Sequence, residues 1–262
     1  MAVLQVNFLS KYLMMNTMAT VIIPTLASKD LQSPLEDVYS REKRFPVLYL
    51  LHGFLGDHTD WLRYTSIERY ANEKGIAVIM PSAYNSFYTD MAYGIRCWSY
   101  ISEELPLVMR SLFPISDKRD DNFVAGLSMG GYGAMKLALG RPDLFSGGAS
   151  LSGALDIVEL VESADSISKP FHINLFGDLT KVEGSENDLF YLAEKLKEGR
   201  LETPRIYIGC GTEDRLYPAN VRFKEHLQRL GYNVTYEEGP GGHEWSFWDR
   251  YIKKVLDWIS SY

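Results

Sequence analysis

Asn122-Phe123-Val124-Ala125-Gly126-Leu127-Ser128-Met129-Gly130-Gly131-Tyr132-Gly133 passes from an apolar run, through a serine between two glycines, into a small-residue segment that reads as a helix. A strand that turns sharply into a helix lifts a serine hydroxyl clear of the backbone, above the sheet. Such a turn strains the backbone at Ser128 and brings the flanking chains so close that only hydrogen fits as a side chain at Gly126 and Gly130. Gly131 and Gly133 extend the close fit of helix on strand. The spacing Gly-x-Ser-x-Gly is common by chance, and its place between strand and helix is what gives it weight.

Outward from that turn, strand and helix patterns alternate. Phe45–Leu51 and Ile76–Met80 are continuous apolar runs, the mark of strands covered on both faces. Thr65-Ser66-Ile67-Glu68 has the form of a capping box, and Gly75 closes the helix it would open. A helix is predicted across Trp98–Phe113. Further on come strands at Gly147–Leu151, Arg205–Cys210 and Asn233–Glu237, and helices at Ala219–Leu230 and Trp245–Ser260. This alternation predicts an α/β fold, a mostly parallel central sheet with helices on both faces. Ala2–Leu9 and Thr17–Ile23 read as two opening strands, and Ser28–Lys43 as a polar surface loop. Residues 153–185 fit the alternation poorly and are read as an insertion above the sheet edge, a small cap. With 262 residues and no repeat or linker, a single domain over 1–262 is expected.

Composition narrows the function classes. The formal net charge of −7, with no concentrated Lys/Arg stripe, argues against a nucleic-acid partner. The two cysteines, Cys97 and Cys210, make no disulfide framework and are expected to be reduced and buried. No Cys/His cluster has zinc-ligand spacing, and no dinucleotide fingerprint or phosphate loop occurs, so neither metal nor cofactor is implied. Gln5, Asn7, Ser10, Lys11 and Asn16 interrupt the apolar N-terminal stretch, unlike a secretory signal. No apolar run approaches the roughly 18 residues of a membrane span. A cytoplasmic enzyme without a membrane partner is the expectation.

Chemistry at Ser128 needs a base within hydrogen-bond reach and an acid to orient that base. With this serine turn the partners follow in the order nucleophile, acid, histidine. Of the five histidines, His52 and His58 precede the serine. His226 falls on what reads as a solvated helix face, and His172 reads as a structural or cap residue. His243 remains, in the Gly-rich loop Gly239-Pro240-Gly241-Gly242-His243 between the last strand and the last helix. The acid is read as Asp214, just beyond the strand Ile206–Ile208, with Glu213 and Asp178 as rivals. Two N–H groups must receive the oxyanion. Met129, after the nucleophile, supplies one, and Phe54, in the turn His52-Gly53-Phe54-Leu55-Gly56 with His52 bracing it, supplies the other. Tyr84, Phe87, Tyr88, Tyr93, Trp98 and Tyr100 crowd the loop after Met80. Some pack in the core, and Trp61, Tyr88, Tyr93 and Trp98 are the candidates for walling a substrate pocket. Trp245, Trp248 and Trp258 recur at helical spacing and read as core.

The chain resembles the esterase D-like branch of the α/β-hydrolases, most closely the tributyrin esterases of lactic and streptococcal bacteria. The resemblance covers Val3 to Trp258 and rests on His52–Gly56 with Trp61, Gly126–Ala134, Gly211–Asp214, and Gly242–Trp245 with Trp248. It implies a serine carboxylesterase acting on a small-molecule, short-chain acyl ester, metal-independent and often homo-oligomeric. The triad carries over as Ser128, Asp214 and His243. Relatives in the branch hydrolyse S-formylglutathione or feruloyl and acetylxylan esters, or transfer mycolyl groups. His52-Gly53-Phe54 and Leu127 depart from the usual formylglutathione-hydrolase pattern, a Ser-Gly turn followed by Leu-Thr-Cys and a histidine before the nucleophile. A peptidase or amidase on the same fold would usually carry an added domain, and a non-catalytic binding module would have lost a triad member. The expectation is ester hydrolysis through an acyl-enzyme.

Overall fold

The computed structural model describes residues 1–26, 31–40 and 42–261. Its strands are β1 (Ala2–Ser10), β2 (Met15–Ile23), β3 (Val47–Leu51), β4 (Ala77–Pro81), β5 (Asn122–Leu127), β6 (Gly147–Leu151), β7 (Arg205–Gly211) and β8 (Val234–Gly239). They form one eight-stranded sheet in the order β1-β2-β4-β3-β5-β6-β7-β8. From β4 to β8 every pairing is parallel, while β2 runs antiparallel to both β1 and β4. The helices are α1 (Leu35–Val38), α2 (Asp60–Tyr64), α3 (Ile67–Lys74), α4 (Cys97–Ser99), α5 (Leu105–Leu112), α6 (Met129–Gly140), α7 (Ile157–Glu162), α8 (Lys169–Phe176), α9 (Leu189–Glu198), α10 (Tyr217–Arg229) and α11 (Trp245–Ile259).

The apolar run of β3 has a direct cause. Val47, Tyr49 and Leu51 join a core with Leu105 and Met109 of α5 and Tyr132 and Met135 of α6. Leu48 and Leu50 point the other way, into a second core with Ile67 and Ala71 of α3 and Phe247, Ile252 and Val255 of α11. Neither face of the strand meets water, so no polar alternation survives in its sequence.

Three local expectations change. The stretch expected as one helix, 98–113, is divided by a π-helical turn at Tyr100–Glu104. Pro106 has no N–H to close the preceding α-turn, which accounts for the wider winding there. The capping box does not close. Ser66 makes no side-chain cap bond, and Thr65 Oγ1 instead accepts from the Ile67 N–H at 3.2 Å, although Gly75 does end α3 in the left-handed region, φ 67°. In the polar segment 28–43 the described part contains the short helix α1, and residues 28–30 and 41 lie outside the described residues. Among the described residues no helix is long and apolar enough to cross a membrane.

Residues 153–185 contribute α7, α8 and a short 3-10 turn at Leu179–Lys181. α8 is tied to the loop after β4, where the Ala92 N–H donates to Leu175 O at 2.9 Å and the Tyr93 N–H to Asn174 O at 3.0 Å. The insertion thus sits on the loop that follows β4, beside the C-terminal ends of the parallel strands.

Packing is very close under α6. A β-carbon on Gly130 would come within 2.5 Å of the carbonyl oxygens of both Leu51 and His52, and one on Gly126 within 2.2 Å of Gly130 O. These are backbone atoms and cannot swing aside. Gly130→Ala should therefore lower the unfolding free energy by about 3 kcal/mol, read as a reduced urea midpoint at unchanged m-value. An unshifted midpoint would show that α6 is free to lift from β3.

Candidate active site

Ser128 occupies the turn between β5 and α6 with φ 54° and ψ −119°. A non-glycine residue there is strained by on the order of 1–3 kcal/mol. The turn is held on every side, with the Ser128 N–H donating to Leu151 O at 2.9 Å and Ser128 O accepting from the N–H of Tyr132 and of Ala154, each at 3.1 Å.

Two loops deliver the partners. Asp214 follows β7, and His243 follows β8. The loops are locked to each other: the Gly241 N–H donates to Glu213 Oε2 at 2.5 Å, the Glu213 N–H to Gly241 O at 3.2 Å. Glu213, a rival for the acid, is thereby occupied in holding the histidine loop. Asp178, the other rival, caps the turn at Thr180 and pairs with Lys181 in the insertion.

His243 Nε2 lies 2.9 Å from Ser128 Oγ, and His243 Nδ1 lies 2.9 Å from Asp214 Oδ2. Burial pushes the Asp214 carboxyl up, but the hydrogen bonds from His243 and from the Leu216 N–H outweigh it and hold the group below its ordinary range. As a carboxylate it can only accept, so Nδ1 carries the proton and Nε2 is left free to accept from the serine hydroxyl. The imidazole is also braced from behind. Trp248 meets it edge-on at 4.9 Å between ring centres, Trp245 meets Trp248 at 5.2 Å, and Trp61 meets Trp245 at 5.5 Å, all near perpendicular.

The turn after β3 lies directly against the serine, since a β-carbon on Gly53 would stand 3.5 Å from Ser128 Cβ. His52 Nε2 accepts from the Ala83 N–H at 2.9 Å, which leaves the proton on Nδ1 to donate to Gly53 O at 2.7 Å. Gly53 O and the Phe54 N–H belong to one planar trans peptide and point in opposite directions. By holding the oxygen, His52 aims the Phe54 N–H. Tyr88 Oη completes the brace by donating to His52 O at 2.9 Å. Among the described residues neither the Phe54 nor the Met129 N–H reaches a protein acceptor.

The four aromatic pocket candidates are placed elsewhere. Trp61 is 1% exposed and donates from Nε1 to Leu51 O, so it is core. Tyr88 is wholly buried against α6, where a β-carbon on Gly133 would strike its ring. Tyr93 is 70% exposed. Trp98 lines a separate cavity beside Lys136. The rings that do cluster at the Phe54 turn are Phe87 and, from α8, Phe171, which meets Phe54 edge-on at 5.4 Å. Phe171 lies in the insertion, where no motif marks it. His226 is also corrected: it is buried, with Nε2 3.3 Å from Phe190 O, and does not face solvent.

This geometry meets its counterpart in known proteins. Residues 31–259 match the family described as "Putative esterase". The chain belongs to this esterase family. An acetyl esterase of Caldicellulosiruptor saccharolyticus is 37% identical over 99% of this chain and 98% of its own. A substrate-bound fluorophosphonate-binding serine hydrolase of Staphylococcus aureus, FphF, superposes with TM-score 0.89 at 38% identity, over 100% of this chain and 99% of its own. An S-formylglutathione hydrolase of the same organism, FrmB, gives TM-score 0.86 at 38% identity, over 99% of each chain. The fold is that of the α/β-hydrolases, and the protein is a serine esterase, a carboxylic ester hydrolase.

The esterase carries an acid-sensitive element in the turn after β3. Burial pulls His52 down from an ordinary 6.5 to about 4. The unfolded chain therefore takes up the proton first as pH falls. The stability contributed above pH 6.5 is withdrawn progressively between 6.5 and about 4, a loss of about 3 kcal/mol when complete. Urea unfolding at pH 7 and pH 4.5 should show wild type losing on the order of 2–3 kcal/mol more than His52→Gln. Equal losses in the two proteins would mean that His52 does not contribute this dependence.

Proposed function

We propose that this esterase hydrolyses short-chain acyl esters, of the acetyl, butyryl and tributyrin type, through an acyl-enzyme on Ser128. The reading is carried by one observation: Ser128 Oγ, His243 Nε2, His243 Nδ1 and Asp214 Oδ2 form an unbroken relay of two 2.9 Å contacts beside the Gly53–Phe54 turn. His243 takes the serine proton as Oγ attacks the ester carbon. The tetrahedral oxyanion is received by the N–H groups of Phe54 and Met129, with the N-terminal dipole of α6 behind the second. Each such donor is worth ~3 kcal/mol in the transition state. His243 then gives the proton to the departing alcohol, and a water molecule repeats the sequence on the acyl-enzyme. Asp214 keeps the imidazole in the required tautomer and stabilises its cation.

Support for a short acyl chain comes from two sources. The acetyl esterase relative matches over nearly its whole length. The Phe54–Phe171 contact, with Phe87 behind it, also sets an aromatic wall next to the oxyanion turn. We place the enzyme in the cytoplasm with a small-molecule ester as its partner. Cys97 and Cys210 are free and buried, as a reducing compartment permits. The FrmB resemblance makes S-formylglutathione the comparison substrate.

Purified enzyme assayed on p-nitrophenyl acetate, butyrate and octanoate, beside S-formylglutathione and a p-nitroanilide, should give its highest kcat/KM on acetate or butyrate. A higher kcat/KM on the thioester would replace the proposed substrate class. Ser128→Ala should lower kcat by up to ~10⁶-fold, the scale of serine-protease triads. Asp214→Asn should fold normally and lose ~10⁴-fold. Substantial esterase activity in Ser128→Ala would overturn the mechanism.

A further inference from the structure

α6 carries a polar side chain that the reaction does not use. Lys136 interrupts the apolar run Ala134–Leu139, eight positions beyond Ser128, or about 12 Å along the helix axis. Only 4% of it is exposed. Its Nζ donates to Thr89 Oγ1 at 3.0 Å and to Asn187 Oδ1 at 2.7 Å, and lies 5.2 Å from the centre of the Trp98 ring. An ammonium has three N–H donors, and these two neutral acceptors use two of them.

The carboxylates nearby are engaged by other groups. Asp90 accepts from the N–H and Oγ of Ser99 and pairs with Arg96, and Glu186 pairs with Lys195 of α9. The buried cation is thus left without an anion of its own, an arrangement that is costly unless a counter-charge arrives. Burial pushes the Lys136 ammonium down to about 7, against the opposing pull of Asp90, Cys97 and Glu186.

Lys136 also lines a cavity of about 560 Å³ between α6 and α9. Its polar lining is Thr89, Asn187, Asp90 and the Glu186–Lys195 ion pair, and its apolar walls include Trp98, Leu139, Leu192, Leu196 and Leu201. Neither Ser128, Asp214 nor His243 borders it. We infer that this cavity binds an aliphatic monocarboxylate, with the carboxylate on Lys136 and the chain along the leucines. One spare donor and one uncompensated charge suit a single carboxylate better than a phosphate dianion. A neutral lipid would satisfy the leucines and leave the ammonium unpaired. Each methylene buried along the walls adds to the affinity.

The bound carboxylate holds Lys136 protonated. The other charged or titratable groups facing the ammonium are Asp90, Cys97 and Glu186, with Lys195 paired to the last, and Tyr132, whose ring centre lies 5.8 Å away and whose hydroxyl donates to Asn187 O. Above pH 7 binding must therefore take up a proton, and the Kd should rise about tenfold per pH unit.

Sodium octanoate titrated calorimetrically into the esterase at pH 8, in two buffers of different ionisation enthalpy, tests this. Wild type should bind with uptake of close to one proton. Lys136→Met should bind at least tenfold more weakly and without the proton. Leu201→Glu, at the exposed rim where it does not disturb folding, should also weaken binding by placing a like charge at the mouth. No binding to wild type would reduce Lys136 to a tie between α6, Thr89 and Asn187. Equal affinity in wild type and both variants would put the carboxylate elsewhere, including beside Ser128. Either result overturns the inference and leaves the proposed ester hydrolysis untouched.

Discussion

The close approach of three backbones at Gly126, Gly130 and the end of β3 is the constraint on which the rest of the molecule depends. With a β-carbon excluded at both glycines, β5 turns into α6 in a single residue. That residue, Ser128, takes a positive φ that its side chain would not choose. The strain is affordable because the turn is bonded to β6 through Leu151 O and to Ala154 beyond it. The same proximity presses the carbonyls of Leu51 and His52 against α6 and so brings the turn after β3 to the serine. The strained serine and the turn that lies against it are thus two results of one packing contact.

The parallel sheet then does the remaining assembly. All strands from β3 to β8 deliver their C-terminal loops to one edge, so residues separated by more than a hundred positions in sequence become neighbours in space. Asp214 and His243 come from adjacent strands, and their loops are tied by the reciprocal bonds between Glu213 and Gly241. On the other side of Ser128, His52 fixes the Gly53–Phe54 peptide by a bond to its oxygen. The Phe54 N–H and the Ser128–His243–Asp214 relay are held by backbone and by buried rings, the form of organisation that makes electrostatic stabilisation effective.

What was legible in the sequence follows from what leaves a local mark. Gly126 and Gly130 are legible because only glycine survives those contacts. β3 and β5 are legible because two-sided burial erases polar alternation. Chain order and the Gly-rich setting of His243 then singled out the residues that the fold brings together. The aromatic side chains were not legible in this way. Tyr88 and Phe87 are neighbours in one loop and both rings are buried against α6, yet that of Tyr88 is pinned over Gly133 while that of Phe87 lies between Tyr132 and the Phe54–Phe171 cluster. A ring's direction in an irregular loop depends on backbone angles that composition does not reveal, and Phe87 and Tyr88 both have positive φ. The π-turn before α5 is of the same kind, since Pro106 marks a disturbance without specifying its form.

Lys136 lies between these cases. A lysine in the middle of Ala134-Met135-Lys136-Leu137-Ala138-Leu139 is visible as an anomaly in the sequence, because a helix buried all round has no solvated face to receive it. The sequence does not show what meets the ammonium. Its partners come from a loop more than forty residues earlier and from the chain just before α9, and neither is a carboxylate. A helix packed tightly enough to strain Ser128 at its first turn thus carries a buried lysine two turns later, where Thr89 and Asn187 accept from it and a cavity opens beside it. The tight end and the open end of α6 are opposite solutions to the same problem of fitting one helix between a sheet and its outer layer.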